Sequence, residues 1–122
     1  MTATDSRNRS ALGLAAVMAT AGIAHFVIPE FFRRIIPSPL RGQDDFLVAA
    51  SGVAELACAA LLASPRTRRA GGWATVVLLI GVFPANVQHA LDDGGPVWLR
   101  LPLQVPLVLW AHRQTRSAPF RR

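Results

Sequence analysis

The chain alternates between long apolar stretches and short polar connections, and this pattern predicts its helices. Three long apolar stretches cover residues 10–28, 46–63 and 70–91, and a shorter one covers residues 97–112. A helix rises about 1.5 Å per residue, so about 20 residues cross the hydrocarbon core of a bilayer. The sequence therefore predicts an all-α, four-transmembrane-helix bundle over residues 10–112.

The connections between these spans differ in length. Residues 64–69 are so few that the second and third spans must form an antiparallel helical hairpin. Residues 29–45 are more numerous and place Phe31, Phe32, Ile35 and Ile36 beside two arginines, with Pro37 and Pro39 following. This pattern favours an amphipathic interfacial segment between helices 1 and 2, and a loop with apolar anchors is the alternative.

Charge is concentrated at the ends and in the connections, although 52% of the 122 residues are hydrophobic. Nine of the thirteen basic residues, all of them arginine, lie in the arm 1–9, the connection 64–69 and the tail 113–122. Positive residues collect on the cytoplasmic side of membrane proteins. We therefore expect a multi-pass protein whose basic arm and basic tail are both cytoplasmic.

The net charge of +6 does not indicate a nucleic-acid partner. Nucleic-acid-binding proteins gather basic residues on one face, often with interleaved aromatics, and no such face can be drawn here. Basic ends beside apolar spans are typical of contact with anionic lipid headgroups, so the expected partner is the lipid bilayer.

Six strongly polar side chains interrupt the spans. They are His25, Glu55, Asn86, His89, Arg100 and Gln104. In the four-span arrangement all six fall in the outer half of the membrane or at its midplane, which predicts a polar pocket that opens outward. A carboxylate at such depth is costly in lipid, so Glu55 should face protein or water, and Arg100 is its expected ion-pair partner.

The residues leave the role of these side chains open. Glu55 is a structural ion-pair member, a proton-handling group or a ligand contact. The histidines show no metal-ligand spacing, so no metal is expected, and the single cysteine, Cys58, excludes an internal disulfide. No catalytic constellation can be argued, so the catalytic residues are unknown and we expect a protein that is non-catalytic alone.

Four short motifs resemble the DoxX-like family of small bacterial membrane proteins. They are HFVIPEFF at residues 25–32, SGVAE at 51–55, FPAN at 83–86 and RLPLQ at 100–104. The resemblance covers roughly residues 10–112 and implies a four-helix bundle in the bacterial cytoplasmic (inner) membrane. The motif residues of that family map onto His25, Glu55, Asn86, Arg100 and Gln104. The family takes its name from a subunit associated with thiosulfate:quinone oxidoreductase, and some members are linked to redox-stress complexes.

Three functions compete at this point. The first is an outward-facing pocket, formed by Glu55, Arg100 and Gln104, for a small ligand or a partner subunit. The second is an accessory subunit of a quinone-linked membrane oxidoreductase, in which quinone is a possible cofactor although none is required by the residues. The third, a proton-coupled carrier, lacks the internal repeat of transporters. A homo-oligomer is compatible with each.

Overall fold

The computed structural model describes residues 2–34, 36, 40 and 42–116, and within them every regular element is helical. Five α-helices and one 3₁₀ helix follow one another along the chain. They are α1 (Ala3–Val27), α2 (Pro29–Arg33), α3 (Asp44–Ala63), α4 (Arg68–Asp93), the 3₁₀ helix Gly95–Leu99 and α5 (Arg100–Arg113). The all-α prediction is confirmed.

Helix α1 begins earlier than predicted. The Thr2 side chain accepts a hydrogen bond from the Asp5 N–H (3.1 Å), and the Asp5 carboxylate accepts one from the Thr2 N–H (3.3 Å). This capping box satisfies two amides that would otherwise lack partners, so the helix starts at Ala3 instead of residue 10. Pro29 then ends α1 and becomes the first residue of α2.

Helices α1, α3 and α4 are long and apolar enough to cross a membrane, with 25, 20 and 26 residues. Their outward side chains are apolar, as shown by Phe46, Val77 and Ile80, which are 71%, 67% and 58% exposed. The buried set, in contrast, includes His25, Thr75, His89 and Gln104. An apolar outside around polar interior groups indicates a membrane protein.

The last predicted span is divided. Residues 97–99 belong to the 3₁₀ helix, and α5 itself has 14 residues, beginning at Arg100. The preceding turn explains the division, because α4 ends at Asp93 and the next two residues, Gly94 and Gly95, have φ angles of 64° and 59°. L-residues with a side chain rarely adopt such angles.

The connection at residues 29–45 begins with a short helix and ends in the first residues of α3, and part of the chain between them lies outside the described residues. Helix α2 covers only Pro29–Arg33, and Arg34 follows in a turn. The predicted anchor Ile35 and the prolines Pro37 and Pro39 lie outside the described residues. The predicted hairpin is confirmed, since only residues 64–67 separate α3 from α4 and these two helices pack together.

The helices run alternately up and down, with α1 against α3, α3 against α4 and α4 against α5. We call the end that carries Val27, Asp44, Asp93 and Arg100 the distal end, and the opposite end the arginine-rich end. The core lies toward the arginine-rich end. Its buried members are Leu14, Ala15, Met18, Cys58, Ala59, Leu62, Val76 and Ala111.

Glycines let the backbones approach closely in this core. A Cβ added at Gly71 would lie 2.8 Å from the Leu62 nitrogen, and one added at Gly72 would lie 3.0 Å from the Ala111 carbonyl oxygen. The same half is tied across α1 and α5 by Trp110, whose Nε1–H donates to the Ser10 hydroxyl at 2.9 Å. The helices are therefore held together at the arginine-rich end.

Candidate functional site

The distal half of the bundle encloses a cavity of about 410 Å³. All five α-helices contribute to its wall, and most of the lining is apolar. Polar groups reach it from α1, α3, α4 and α5. They are His25, Ser51, Glu55, Asn86, Arg100 and Gln104. A mostly apolar cavity with a few converging polar groups is the usual form of a small-molecule site.

Glu55 and His25 face each other across α1 and α3. Glu55 Oε2 lies 3.1 Å from His25 Nδ1, and the two side chains are 16% and 8% exposed. His25 Nδ1 is also 2.7 Å from the Ala21 carbonyl oxygen, which can only accept, so Nδ1 carries a proton and donates it to that carbonyl. The contact with Glu55 is therefore one of proximity.

Glu55 Oε2 is buried and makes no hydrogen bond within the described residues. A buried oxygen without a donor destabilises the fold by roughly 1–3 kcal/mol, and more when it is charged. Glu55 is one of the residues that line the cavity. A ligand that brings a hydrogen-bond donor to this point would remove the deficit.

Helix α2 places two aromatic rings near the contact between His25 and Glu55. The Phe32 ring stacks on the His25 imidazole, with centroids 3.6 Å apart and an angle of 17° between the planes. The Phe31 ring meets Phe32 edge-on at 5.2 Å. Both phenylalanines line the cavity, so α2 forms part of its wall near the distal end.

Arg100 lines the same cavity but does not pair with Glu55, so the predicted ion pair is wrong. Its guanidinium lies over the Phe31 ring, 4.8 Å from the centroid, and Nη1 is 3.5 Å from His89 Nδ1. The physical reason is depth. Arg100 is the first residue of α5, whereas Glu55 lies eleven residues, or about 16 Å, into α3.

His89 accepts a hydrogen bond from the Arg100 guanidinium. A guanidinium only donates, so His89 Nδ1 must be the acceptor, and the remaining ring proton lies on Nε2. Nε2 is 2.7 Å from Asp93 Oδ2, one helical turn further along α4. Asp93 thus fixes the tautomer of His89, and His89 in turn orients Arg100.

Gln104 and Asn86 join α5 to α4. The Asn86 side-chain amide donates to Gln104 Oε1 at 2.8 Å, and Gln104 Nε2 donates to the carbonyl of Leu79. Pro84 leaves the Ile80 carbonyl without its helical donor, and the bond from Gln104 is made to the carbonyl of the residue before it. Gln104 is 6% exposed and uses both ends of its amide in these bonds.

Five of the six residues singled out from the sequence meet at the cavity, and His89 does not line it. The sequence reasoning missed Ser51, Phe31, Phe32 and Asp93. Ser51 is one helical turn before Glu55, a spacing that places both on one face. Phe32 reaches His25 only because the chain turns at Pro29, and no local pattern shows this.

A family model described as a domain of unknown function (DUF8561) matches residues 14–115. The chain belongs to this family. The DUF8561 match begins within α1, ends two residues after α5 and contains every residue that lines the cavity. No curated protein and no solved structure matches the chain.

The described part of the DUF8561 chain does not bring the usual metal-ligating side chains together in a group of three. Within residues 2–34, 36, 40 and 42–116, no three His, Cys, Asp or Glu side chains come together as a metal site would require. Cys58 is buried among the apolar core residues, where it packs as a small side chain.

Proposed function

We propose that the protein binds a small amphipathic molecule in its distal cavity. The observation that carries this proposal is Glu55, which lines a cavity of about 410 Å³ and whose buried oxygen Oε2 has no hydrogen-bond partner within the described residues. The ligand would place a hydroxyl or amine beside Glu55, an acceptor beside Arg100, and an apolar body among the remaining side chains. In this proposal the protein binds the molecule and is non-catalytic alone.

The setting of this site is part of the proposal. The chain would be a DoxX-like four-span protein of the bacterial cytoplasmic membrane, with both termini cytoplasmic and the distal end outside. The 3₁₀ helix and α5 together would form the fourth crossing, and α2 would lie at the outer interface. Support comes from the sequence, in which nine of the thirteen arginines belong to the arm 1–9, the connection 64–69 and the tail 113–122.

Cysteine labelling tests this topology. In a Cys58→Ser background, Asp93→Cys and Arg116→Cys would place single thiols on either side of α5. A membrane-impermeant maleimide should label Asp93→Cys in intact spheroplasts, and Arg116→Cys only after permeabilisation. Labelling of both positions in intact spheroplasts would rule out a fourth crossing between them.

Retention of the ligand tests the site. The protein would be purified in native lipid, and small molecules extracted from it would be quantified by mass spectrometry. Glu55→Gln should lower the retained amount about tenfold or more, because a hydrogen bond to a charged group contributes roughly 1.5–3 kcal/mol. Asp44→Asn removes a carboxylate from the same helix outside the cavity and should change nothing, because asparagine can still accept the hydrogen bond from the Gly42 N–H.

Thermal unfolding separates binding from architecture. If Glu55 serves only to hold the bundle together, Glu55→Gln will lower the unfolding temperature of ligand-free protein. The binding proposal expects no loss, since the oxygen has no hydrogen bond to lose within the described chain. A wild-type protein that retains no small molecule, or a Glu55→Gln variant that retains the same amount, would refute the proposal.

A second candidate is an accessory subunit of a quinone-linked oxidoreductase. It is favoured by the His25–Glu55 contact of 3.1 Å at an apolar cavity, together with the DoxX-like motifs. The apolar wall would suit a quinone ring. Arg100 would donate to a quinone oxygen and Glu55 would accept from a hydroxyl of the reduced quinol, while the bound quinone would supply the redox chemistry. Binding of a short-chain quinone to the wild type but not to Glu55→Gln would favour this role, and no binding to either would exclude it.

A further inference from the structure

A second cavity lies at the arginine-rich end and differs in chemistry from the distal one. It measures about 400 Å³ and lies between the start of α1, the connection before α4 and the turn after α5. We call it the arginine cleft. Its charged and polar wall includes Asp5, Arg7, Asn8, Arg68, Arg69 and Arg116.

The charge of the arginine cleft is unbalanced. Four arginines face one carboxylate, Asp5, and that carboxylate is already engaged with the Thr2 N–H in the capping box of α1. The amino-terminal ends of α1 and α4, where the helix dipole is positive, also border the cleft. These charges together favour an anion.

The walls of the cleft are fixed by bonds between distant parts of the chain. Arg68 donates from Nε to the Leu62 carbonyl and from Nη2 to Asn8 Oδ1, both at 3.0 Å. Arg7 Nη2 donates to the Arg116 carbonyl at 2.7 Å. The amino terminus, the α3–α4 connection and the turn after α5 are therefore held in one arrangement before any ligand arrives.

Two of the four guanidinium groups have no hydrogen-bond or ion-pair partner within the part of the chain that the structure describes. The side chains of Arg69 and Arg116 make no hydrogen bond or ion pair within residues 2–34, 36, 40 and 42–116, although Arg116 contributes its backbone carbonyl. Arginine binds phosphate through two parallel N–H donors, a geometry that lysine does not offer. The cleft thus combines rigid walls with two side chains that can close on an anion.

We propose that the arginine cleft is a binding site for a phosphate group, and that an anionic phospholipid headgroup is its ligand. The depth of the cleft supports the lipid as the source. Leu12 on α1 and Trp73 on α4 lie one to two turns further along these helices and are 44% and 47% exposed. Exposed tryptophan marks the interface between headgroups and acyl chains, so the cleft lies at headgroup level. The site is separate from the distal cavity and does not depend on its ligand.

The chain offers a matched control for this proposal. Arg69 and Arg116 line the cleft, whereas Arg66, in the connection before α4, and Arg9, in α1, lie toward the same end of the bundle without lining it. The double variants Arg69→Gln/Arg116→Gln and Arg66→Gln/Arg9→Gln lose the same charge from the same end of the protein. A diffuse attraction between basic residues and anionic lipid would respond equally to both.

The experiment compares the wild type and both double variants in vesicles of phosphatidylcholine, with and without phosphatidylglycerol. Native mass spectrometry of protein released from the vesicles counts the phosphatidylglycerol molecules that remain bound. The cleft variant should lose affinity for phosphatidylglycerol about tenfold or more, because it loses the paired, charge-assisted N–H donors that would hold the phosphate, and the control variant should bind as the wild type does. Equal loss in both variants, or no loss in either, would overturn the proposal.

A second arm distinguishes the source of the phosphate. Inorganic phosphate is added to detergent-solubilised protein, and the thermal unfolding temperature is measured against chloride at equal ionic strength. No phosphate-specific shift, together with the phosphatidylglycerol result above, supports a lipid ligand. A shift in the wild type that is lost only in the cleft variant would keep the phosphate site and replace the lipid with a soluble phosphate compound.

Discussion

The two halves of the bundle use the same helices in opposite ways. Toward the arginine-rich end, glycine and alanine bring the backbones together, and the interior is filled by a core of Leu14, Leu62 and their neighbours. Toward the distal end, the interior is a cavity of about 410 Å³ crossed by polar side chains. Close packing stabilises the first half, and hydrogen bonds between side chains connect the second.

This difference separates stability from binding within one short chain. Interhelical packing of small residues holds membrane helices together without any hydrophobic driving force. Close approach of this kind continues into the distal half between α1 and α3, at Gly22 and Gly52. The buried apolar core cluster lies in the other half, so the distal half can leave space and can keep a carboxylate oxygen without a hydrogen bond. Four pairs of variants test the contrast, and they are ordered from the largest expected effect to the smallest.

The largest effect is expected for Gly71→Ala. The new Cβ would lie 2.8 Å from the Leu62 nitrogen and 2.9 Å from the Leu61 carbonyl carbon, and neither backbone atom can rotate away. Overpacking of this kind destabilises by roughly 1–3 kcal/mol. Chemical unfolding in detergent, followed by circular dichroism, measures the change.

Gly81→Ala is the control for this substitution. No atom lies within 4 Å of a Cβ built at Gly81, so this change should be neutral or stabilising by up to about 1 kcal/mol, as alanine favours helix over glycine. Similar destabilisation by both variants would show that helix crowding in this half is not the controlling factor.

The next effect is expected for Gln104→Met, which keeps the shape of the side chain and removes its bonds to Asn86 and the Leu79 carbonyl. Hydrogen bonds between membrane helices contribute about 0.6–2 kcal/mol. The same unfolding assay should show a loss in this range. Leu109→Met, at a side chain that is 56% exposed on the same helix, should be neutral. If Gln104→Met is neutral as well, the polar link is not what holds the distal half.

A smaller effect, on binding instead of stability, is expected for Phe32→Ala. The Phe32 ring stacks on His25 at 3.6 Å and lines the cavity. An aromatic pair contributes about 0.5–1.5 kcal/mol, so the retained ligand should fall about 2- to 10-fold in the mass-spectrometric assay. Phe46→Ala removes a ring that is 71% exposed and should leave retention unchanged. Equal retention in all three proteins would exclude a role for α2 in the site.

The smallest effect is expected for Asp93→Asn. The carboxylate holds His89 in the tautomer that accepts from Arg100, so its loss should loosen Arg100 and lower ligand retention about threefold, the equivalent of one membrane hydrogen bond. Asp92→Asn changes the adjacent carboxylate, which accepts from Gln88 on the protein surface. An equal reduction from both variants would point to the charge of the distal end and not to the orientation of Arg100.

The sequence predicted the secondary structure of this chain well because its signals are local. Apolar length located α1, α3 and α4, and the short connection at residues 64–69 predicted the hairpin. The capping box that starts α1 at Ala3 is also local, but it lies in a polar arm where apolar length gives no signal. The bounds of α2 depend on Pro29 and on the tertiary contacts that α2 makes in the wall of the cavity.

The sequence by itself determined which polar groups are forced inside, since a charge or amide in an apolar span cannot face lipid at low cost. It also determined that His25, Glu55 and Arg100 lie toward the same end of the bundle. Only the tertiary structure decided the partners. Glu55 lies beside His25, Arg100 lies over Phe31, and Gln104 supports α4, because these contacts depend on helix rotation and depth, which differ by a few ångströms and leave no periodic trace in the chain.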